Sequence, residues 1–177
     1  MPETNTTVPY RNTYWVVPSR LLAGEHPSDF DEATARTRLS ALLETGIRTF
    51  VDLTEEHELD GYHQMLRGLA EERRLDTTYL RIPIPDRSTP SLWTVKCILN
   101  VLDRSVTDEQ PAYVHCFAGI GRTGTVIGCY LQRHGLATRG DVIEKIAGLR
   151  SLMPFGSEPS PHTPDQVRMV EHWPAGA

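Results

Sequence analysis

Short apolar strands alternate with amphipathic helices through most of this chain, and this alternation limits the folds open to it. Segments rich in β-branched and aromatic residues predict strands over residues 13–17, 21–24, 47–53, 77–84 and 111–116. Helical patterns predict helices over 28–45, 62–74, 92–105, 125–135, 138–149 and 163–173. The pattern is typical of an α/β fold with a central, mostly parallel sheet of about four to five strands and helices on both faces.

The length of the chain fits one globular domain. With 177 residues and 39% hydrophobic composition, the chain can bury one sizeable core. The polar residues 1–12 are predicted to form a flexible N-terminal tail, and residues 13–177 a single folded domain.

Charge and cysteine content exclude several classes of protein. A net charge of −5 argues against nucleic-acid or acidic-membrane partners, which require a basic face. No apolar run approaches the length of a membrane span, and no signal peptide is visible, so we expect a cytoplasmic protein. Three cysteines do not make a disulfide framework, and the histidines show no zinc-like spacing, so no metal or cofactor is expected. The oligomeric state is left open.

The segment VHCFAGIGRTG, residues 114–124, suggests an anion-binding loop between the last core strand and a helix. The strand delivers Cys116 to the edge of the sheet, and Gly119, Gly121 and Gly124 allow positive φ angles and close backbone approach. Consecutive N–H groups and a helix N-terminus then face one point, where the Arg122 fork can hold two phosphate oxygens. An inert core cysteine is the alternative interpretation.

The sequence HCFAGIGRTG resembles the signature of the cysteine-dependent protein tyrosine phosphatases, His-Cys-x5-Arg-Ser/Thr. Residues 14–27, 51–59 and 81–86 are also similar to the compact, dual-specificity-like microbial branch of that superfamily. The resemblance implies that Cys116 attacks phosphorus and that Arg122 and the loop N–H groups hold the phosphate. These N–H groups belong to the loop residues Phe117, Ala118, Gly119, Ile120 and Gly121.

Further roles follow from the resemblance. Thr123 is expected to hydrogen-bond the sulfur, and His115 to order the loop through a hydrogen bond of one ring nitrogen. Asp86 follows the strand at 77–84, so its loop can reach the same sheet edge as Cys116, and it is the expected general acid. The alternative for Asp86 is a turn or helix-capping role.

Two other positions carry open alternatives. Gln166 either orients the hydrolytic water, as the resemblance implies, or closes a capping box with Thr163. Glu55, or Glu56 beside it, either fixes the Arg122 fork or belongs to a solvated acidic loop.

The predicted function is hydrolysis of phosphotyrosine, and of phosphoserine or phosphothreonine as a further option, in phosphoprotein substrates. A phosphoinositide or small-molecule phosphatase is the alternative, although the apolar loop residues Phe117, Ala118 and Ile120 lack the lysines typical of polyanion sites. A catalytically inactive phosphate-binding module is disfavoured because the cysteine, the arginine and the acid are all present.

Overall fold

The computed structural model describes residues 7–28, 31–59, 61–174 and 176–177. Within these residues the strands are β1 (Thr13–Val17), β2 (Leu21–Gly24), β3 (Thr49–Asp52), β4 (Thr78–Arg81) and β5 (Ala112–His115). The helices are α1 (Glu32–Glu44), α2 (His63–Arg73), α3 (Leu92–Thr107), α4 (Gly121–Arg133), α5 (Val142–Arg150) and α6 (Pro164–Glu171).

The described strands form one sheet in the order β1-β2-β5-β3-β4. Only the β1–β2 pair is antiparallel, and the other three pairs are parallel. The predicted α/β fold with a mostly parallel sheet is therefore confirmed. The three inner strands β2, β5 and β3 are buried along their whole length, as expected for parallel strands covered on both faces.

Alternate residues of the inner strands pack into two separate apolar layers. Leu22, Phe50 and Tyr113 pack with α1 and α2, whereas Ala23, Val51 and Val114 pack with the other four helices. This period of two follows from the pleat of a strand, which points successive side chains to opposite faces.

The strand register brings the carboxyl ends of four strands, β2, β3, β4 and β5, to one edge of the sheet. Gly24 of β2 and Asp52 of β3 are both opposite His115 of β5, and Arg81 of β4 is opposite Asp52. The loops that follow these residues therefore start side by side, which is where ligands bind in open α/β sheets.

Several predicted boundaries are corrected by tertiary contacts. Helix α1 is capped by Asp31, whose carboxylate accepts from the Thr34 N–H, and not by Ser28; residues 29 and 30 lie outside the described residues. Helix α4 begins at Gly121, four residues before its predicted start. Helix α5 begins at Val142, because the carboxylate of Asp141 binds the N–H and hydroxyl of Thr138 and holds a turn there.

Two residues at the end of the predicted N-terminal tail contact the rest of the protein. The hydroxyls of Tyr10 and Tyr113 are 2.7 Å apart, and Asn12 donates to the Glu25 carboxylate at 2.7 Å. Residues 10 and 12 therefore pack against the sheet, while residues 1–6 lie outside the described residues. None of the helices in the described part of the chain is long and apolar enough to cross a bilayer.

Candidate active site

Cys116 lies directly after β5, at the carboxyl edge of the sheet, in the wall of a cavity of about 520 Å³. Its side chain is 3% exposed. The residues that line this cavity come from four loops and from the start of α4: Glu58, Asp86, Arg87, Cys116, Phe117, Ala118, Ile120, Gly121, Arg122 and His162. The structure thus brings the predicted nucleophile, arginine and acid to one cavity.

The loop carbonyls are held from outside by the protein. The Cys116 carbonyl accepts from His115 Nδ1 at 3.2 Å, and the Phe117 carbonyl from the His26 N–H at 2.9 Å. The Ile120 carbonyl accepts from the Ser160 hydroxyl at 2.7 Å. A trans peptide points its N–H away from its C=O, so the next N–H in each case turns to the other side of the loop. The N–H groups of residues 117–121 donate to no described residue, as an anion-binding nest requires.

The glycines of the loop serve different purposes. Gly119 has a φ of +69° and lies so close to the backbone of Gly24 that a Cβ atom would overlap it. Gly121 and Gly124 do not have positive φ angles, so the prediction of left-handed backbone holds for Gly119 alone. They are needed for close packing, because a Cβ on Gly121 would lie 3.1 Å from Gln166 Oε1 and one on Gly124 would overlap the Ser160 hydroxyl.

Arg122 is in the first turn of α4 and is 2% exposed. Its Nη1 and Nη2 donate to the two carboxylate oxygens of Glu58 at 2.5 and 2.7 Å, a bidentate pair. Nη1 also donates to the Ile84 carbonyl at 3.0 Å, and Nη2 lies 3.2 Å from Asp86 Oδ1. These contacts fix the plane of the guanidinium at the mouth of the loop.

The carboxylate that orients Arg122 belongs to Glu58, so the structure does not show the pairing with Arg122 that was one of the two alternatives for Glu55. The chain turns after Leu53, and the N–H of Glu55 itself donates to Glu58 Oε1 at 2.7 Å. Burial alone would raise the pKa of Glu58, but the hydrogen bonds from Arg122 and from the Glu55 N–H hold that pKa below its usual value. Glu58 therefore stays ionised beside Arg122.

Glu58→Gln is expected to lower kcat/KM for a phosphate monoester about tenfold, because an amide has one oxygen and cannot accept both Arg122 bonds. Steady-state kinetics with p-nitrophenyl phosphate measures this. Glu55→Gln is the matched control and should stay within about twofold of wild type, since only the backbone of Glu55 contacts Glu58. Equal losses in the two variants would contradict the assignment of Glu58.

His115 makes the hydrogen bond expected of it, and the structure identifies the nitrogen. A carbonyl oxygen can only accept, so Nδ1 carries the proton that it donates to Cys116. Nε2 accepts from the Tyr62 hydroxyl at 2.7 Å. Burial lowers the pKa of His115, so the ring is neutral in this arrangement. His115 thus links β5 and the segment before α2 to the first peptide of the loop.

A buried group of His26, Asp52 and His115 lies behind the loop, with one ligand atom of each within 4.8 Å of the others. The sequence spacing gave no sign of this group. The proton positions in this group do not favour a bound cation. Nδ1 of His26 accepts from the Ser28 N–H, so Nε2, the nitrogen that faces Asp52, carries the ring proton and has no lone pair for a metal. Asp52 also accepts from Arg81 at 3.1 and 3.2 Å. We interpret the group as a structural hydrogen-bond network.

Asp86 lies at the rim of the cavity, with 67% of its side chain exposed. The segment from β4 to Asp86 stays beside β3, because the N–H groups of Ile82 and Ile84 donate to the carbonyls of Asp52 and Leu53. Asp86 thus faces the same cavity as Cys116, with Oδ1 at 3.2 Å from Arg122 Nη2.

Gln166 shows one of its two expected arrangements, whereas Thr123 lacks the bond expected of it. Gln166 is buried and closes a capping box with Thr163, and its Nε2 donates to the Ser88 carbonyl at 2.9 Å. Its amide is thus used for structure, which favours the capping interpretation. The Thr123 hydroxyl is buried and has no hydrogen-bond partner among the described residues, so the expected bond to Cys116 is not formed.

The remaining cysteines are not paired with Cys116. Cys129 is buried in α4, Cys97 is half-buried in α3, and all three thiols are free. Burial raises the pKa of the Cys129 thiol, which keeps it protonated and unreactive.

Comparisons with known proteins identify relatives of this chain. A family profile described as "Polymorphic toxin system, DSP-PTPase phosphatase" matches residues 27–136. The mouse dual specificity protein phosphatase CDC14B is 30% identical over 146 residues, which cover 79% of this chain and 27% of that protein. The chain spans only 21% to 31% of the lengths of the three first curated relatives.

Solved structures share the fold. The active form of Tk-PTP superposes with a TM-score of 0.72 at 20% identity, covering 93% of this chain and 97% of that one. PTPMT1 in complex with PI(5)P superposes with a TM-score of 0.66 at 18% identity, covering 91% and 93%.

Proposed function

This chain belongs to the DSP-PTPase phosphatase family of polymorphic toxin systems, and we propose that it hydrolyses phosphate monoesters of phosphoproteins through a phosphocysteine intermediate. The observation that carries the proposal is the convergence of Cys116, the Arg122 fork and the N–H groups of the loop on one cavity. This convergence supports a reaction in which a nucleophile and a set of phosphate donors act on the same phosphoryl group.

In the first step the Cys116 thiolate attacks phosphorus, and the bond from phosphorus to the leaving oxygen breaks. The proton of Asp86 moves to that oxygen, so an alcohol or phenol departs. Arg122 and the inward N–H groups hold the three equatorial phosphate oxygens while charge shifts onto them. Glu58 keeps the guanidinium in plane throughout.

In the second step water attacks phosphorus, and the sulfur–phosphorus bond breaks. The Asp86 carboxylate accepts the proton of the water, which restores the acid for the next cycle. The hydroxyl of Thr123, buried and without a partner among the described residues, can donate to the departing sulfur after a rotation about its Cα–Cβ bond. Gln166 has a positioning role through its bonds to Ser88 and Thr163.

Protein substrates are favoured over polyphosphorylated lipids by the charge of the cavity. Its cationic lining residues are Arg87 and Arg122, with His162 as a titratable neighbour, and Glu58 and Asp86 offset them. The loop residues Phe117, Ala118 and Ile120 add apolar surface, and Phe117 is 48% exposed beside the opening. One phosphate on an aromatic or aliphatic side chain fits this lining better than several phosphates on one ring.

The test compares a panel of phosphotyrosine, phosphoserine and phosphothreonine peptides with phosphoinositides, by phosphate release. We expect hydrolysis of phosphotyrosine peptides that vanadate blocks and that EDTA leaves unchanged. Faster release from the phosphoinositides would favour the lipid phosphatase, and absence of release from every substrate would favour the inactive binding module.

Asp86→Ala is expected to slow hydrolysis of phenyl phosphates with poor leaving groups about 100-fold, and that of good leaving groups far less. The reason is that a good leaving group departs without a proton. The measurement is the slope of log kcat/KM against the leaving-group pKa, which should become more negative in the variant. An unchanged slope would assign the acid to another residue.

We propose that residues 13–177 act as one catalytic unit. Both apolar layers pack on the same sheet, and all elements that line the cavity extend from it. The reducing cytoplasm is the compartment that suits the reaction, since Cys116 must remain a thiol and three free cysteines are stable there.

A further inference from the structure

Arg150, the last residue of α5, is a fully buried cation that the reaction described above does not use. Its side chain is 0% exposed, and it is one of the two largest fully buried side chains in the described residues, the other being Arg122. Nη1 donates to the Glu158 carbonyl at 2.7 Å and Nη2 to the Phe155 carbonyl at 3.0 Å. Among the described residues no carboxylate lies within 4.0 Å of the guanidinium, and its Nε has no hydrogen-bond partner.

The segment that Arg150 holds leads directly to the anion-binding loop. Residues 155–158 curl around the guanidinium, and Gly156 packs so closely on the Arg150 carbonyl that a Cβ atom would overlap it. Two residues after Glu158, the Ser160 hydroxyl donates to the Ile120 carbonyl at 2.7 Å. Arg150 is therefore joined to the loop through one short, packed segment.

The Ser160 hydroxyl bonds the carbonyl of the peptide that joins Ile120 to Gly121, and the same carbonyl accepts from the Gly124 N–H of α4 at 3.1 Å. Because the N–H of a trans peptide points opposite to its carbonyl, pulling the Ile120 carbonyl outward turns the Gly121 N–H into the cavity. That N–H is also the first of α4, where the helix dipole favours an anion. A displacement of Ser160 would leave this peptide held by the Gly124 bond alone, so one of the phosphate donors would be less firmly oriented.

A buried arginine without a carboxylate partner costs stability, and an apolar side chain of similar size would pack there without this cost. Burial lowers the pKa of Arg150, and the nearby Tyr14, Glu158 and Cys116 act in the opposite direction. The Tyr14 hydroxyl, also buried, has no hydrogen-bond partner among the described residues. The positive charge thus lies on the inner side of the loop, within electrostatic range of the nucleophile.

We propose that Arg150 is a positioning residue for the anion-binding loop, which it holds in its phosphate-binding shape from the buried side through residues 155–160. This inference rests on the proposed function, because it concerns the same cavity. It adds a second arginine to the site, one that never touches the substrate and acts through Ser160 and the Ile120–Gly121 peptide.

The experiment compares Arg150→Met with Arg48→Met. Arg48 is a matched control because it also donates to two backbone carbonyls, those of Leu43 and Ile47 at 3.0 and 2.8 Å, but at the amino end of β3, away from the cavity. We expect Arg150→Met to lower kcat/KM about 10- to 100-fold, with weaker inhibition by inorganic phosphate. Arg48→Met should keep kcat/KM and the inhibition by inorganic phosphate within about twofold of wild type.

A second readout does not depend on phosphatase activity. Iodoacetate is an anion that the loop attracts, whereas iodoacetamide is neutral, so the ratio of their rates of Cys116 alkylation reports the anion site alone. We expect this ratio to fall in Arg150→Met, to recover in part in Arg150→Lys and to be unchanged in Arg48→Met. If the wild-type protein hydrolyses no substrate, the proposed function fails while this ratio still decides the role of Arg150.

Ser160→Ala is a second variant that tests the same inference if Arg150→Met does not fold. It removes only the bond to the Ile120 carbonyl, and we expect phosphate affinity to fall about fivefold. A wild-type alkylation ratio in Ser160→Ala, or in a folded Arg150→Met, would overturn the inference. A fall in the ratio in both variants, with Arg48→Met unchanged, would support it.

Discussion

Replacing Cys116 with serine is expected to reduce kcat for a phosphate monoester by at least about 10⁵-fold. The side chain is 3% exposed and lies in the cavity wall with the Arg122 fork and the inward N–H groups, so a serine would bind phosphate but attack it poorly. A serine hydroxyl is almost wholly protonated at neutral pH and is a far weaker nucleophile than a cysteine thiol group. Phosphate affinity should therefore persist while turnover is lost.

Two measurements check this result. Steady-state kinetics gives the loss of kcat, and rapid acid quench followed by mass spectrometry should find the added phosphate on the peptide that contains Cys116 in the wild type only. Cys97→Ser is the matched control, since Cys97 is a half-buried free thiol of α3, and it should retain kcat within about twofold. Turnover that survives in Cys116→Ser would require another nucleophile.

The sheet and its anion-binding loop could be predicted because their signals are local. Each inner strand is a short apolar run bounded by glycine, proline or polar residues, and such runs report burial on both faces. Cys116 and Arg122 are only six positions apart, at the two ends of one strand-to-helix turn, so their spacing alone brings the thiol and the guanidinium together. The capping box of Thr163 and Gln166 was visible for the same reason.

The partner of Arg122 could not be predicted in the same way. Glu58 and Arg122 are 64 residues apart, and which of three nearby glutamates reaches the guanidinium depends on the turn after β3. The start of α4 was missed because Gly121 and Gly124 are poor helix formers. Their place in the helix is set by the backbone and side chains that pack against them, Gln166 and Ser160 among them.

The burial of Arg150 could not be predicted from the sequence either. In sequence it is an ordinary cation at the end of a helix, where arginine is common because it complements the helix dipole. Nothing nearby in the sequence indicates that the chain folds back over it at residues 155–158 and buries it. The burial of Arg150 without an acidic partner among the described residues is therefore visible only in the tertiary structure.

Arg122→Lys is expected to reduce kcat/KM about 10³-fold, although the charge is conserved. The guanidinium donates to both oxygens of Glu58 and to the Ile84 carbonyl, and this set of bonds needs a planar fork. A lysine ammonium is a point charge that can satisfy only part of this set, so it cannot keep the Glu58 bonds and also donate to the equatorial oxygens of the transition state. We expect most of the loss in kcat/KM to come from a lower kcat and little from KM, because the equatorial oxygens gain charge as the reaction proceeds.

Arg133→Lys is the matched control for this variant. Arg133 is at the other end of α4 and also binds acceptors, Asp103 at 3.2 Å and Asn100 at 2.8 Å, but it does not line the cavity. Steady-state kinetics on p-nitrophenyl phosphate should show Arg133→Lys within about twofold of wild type. If Arg122→Lys keeps more than about a tenth of the wild-type kcat/KM, charge alone suffices at this position, and the bidentate geometry imposed by Glu58 is not what the reaction depends on.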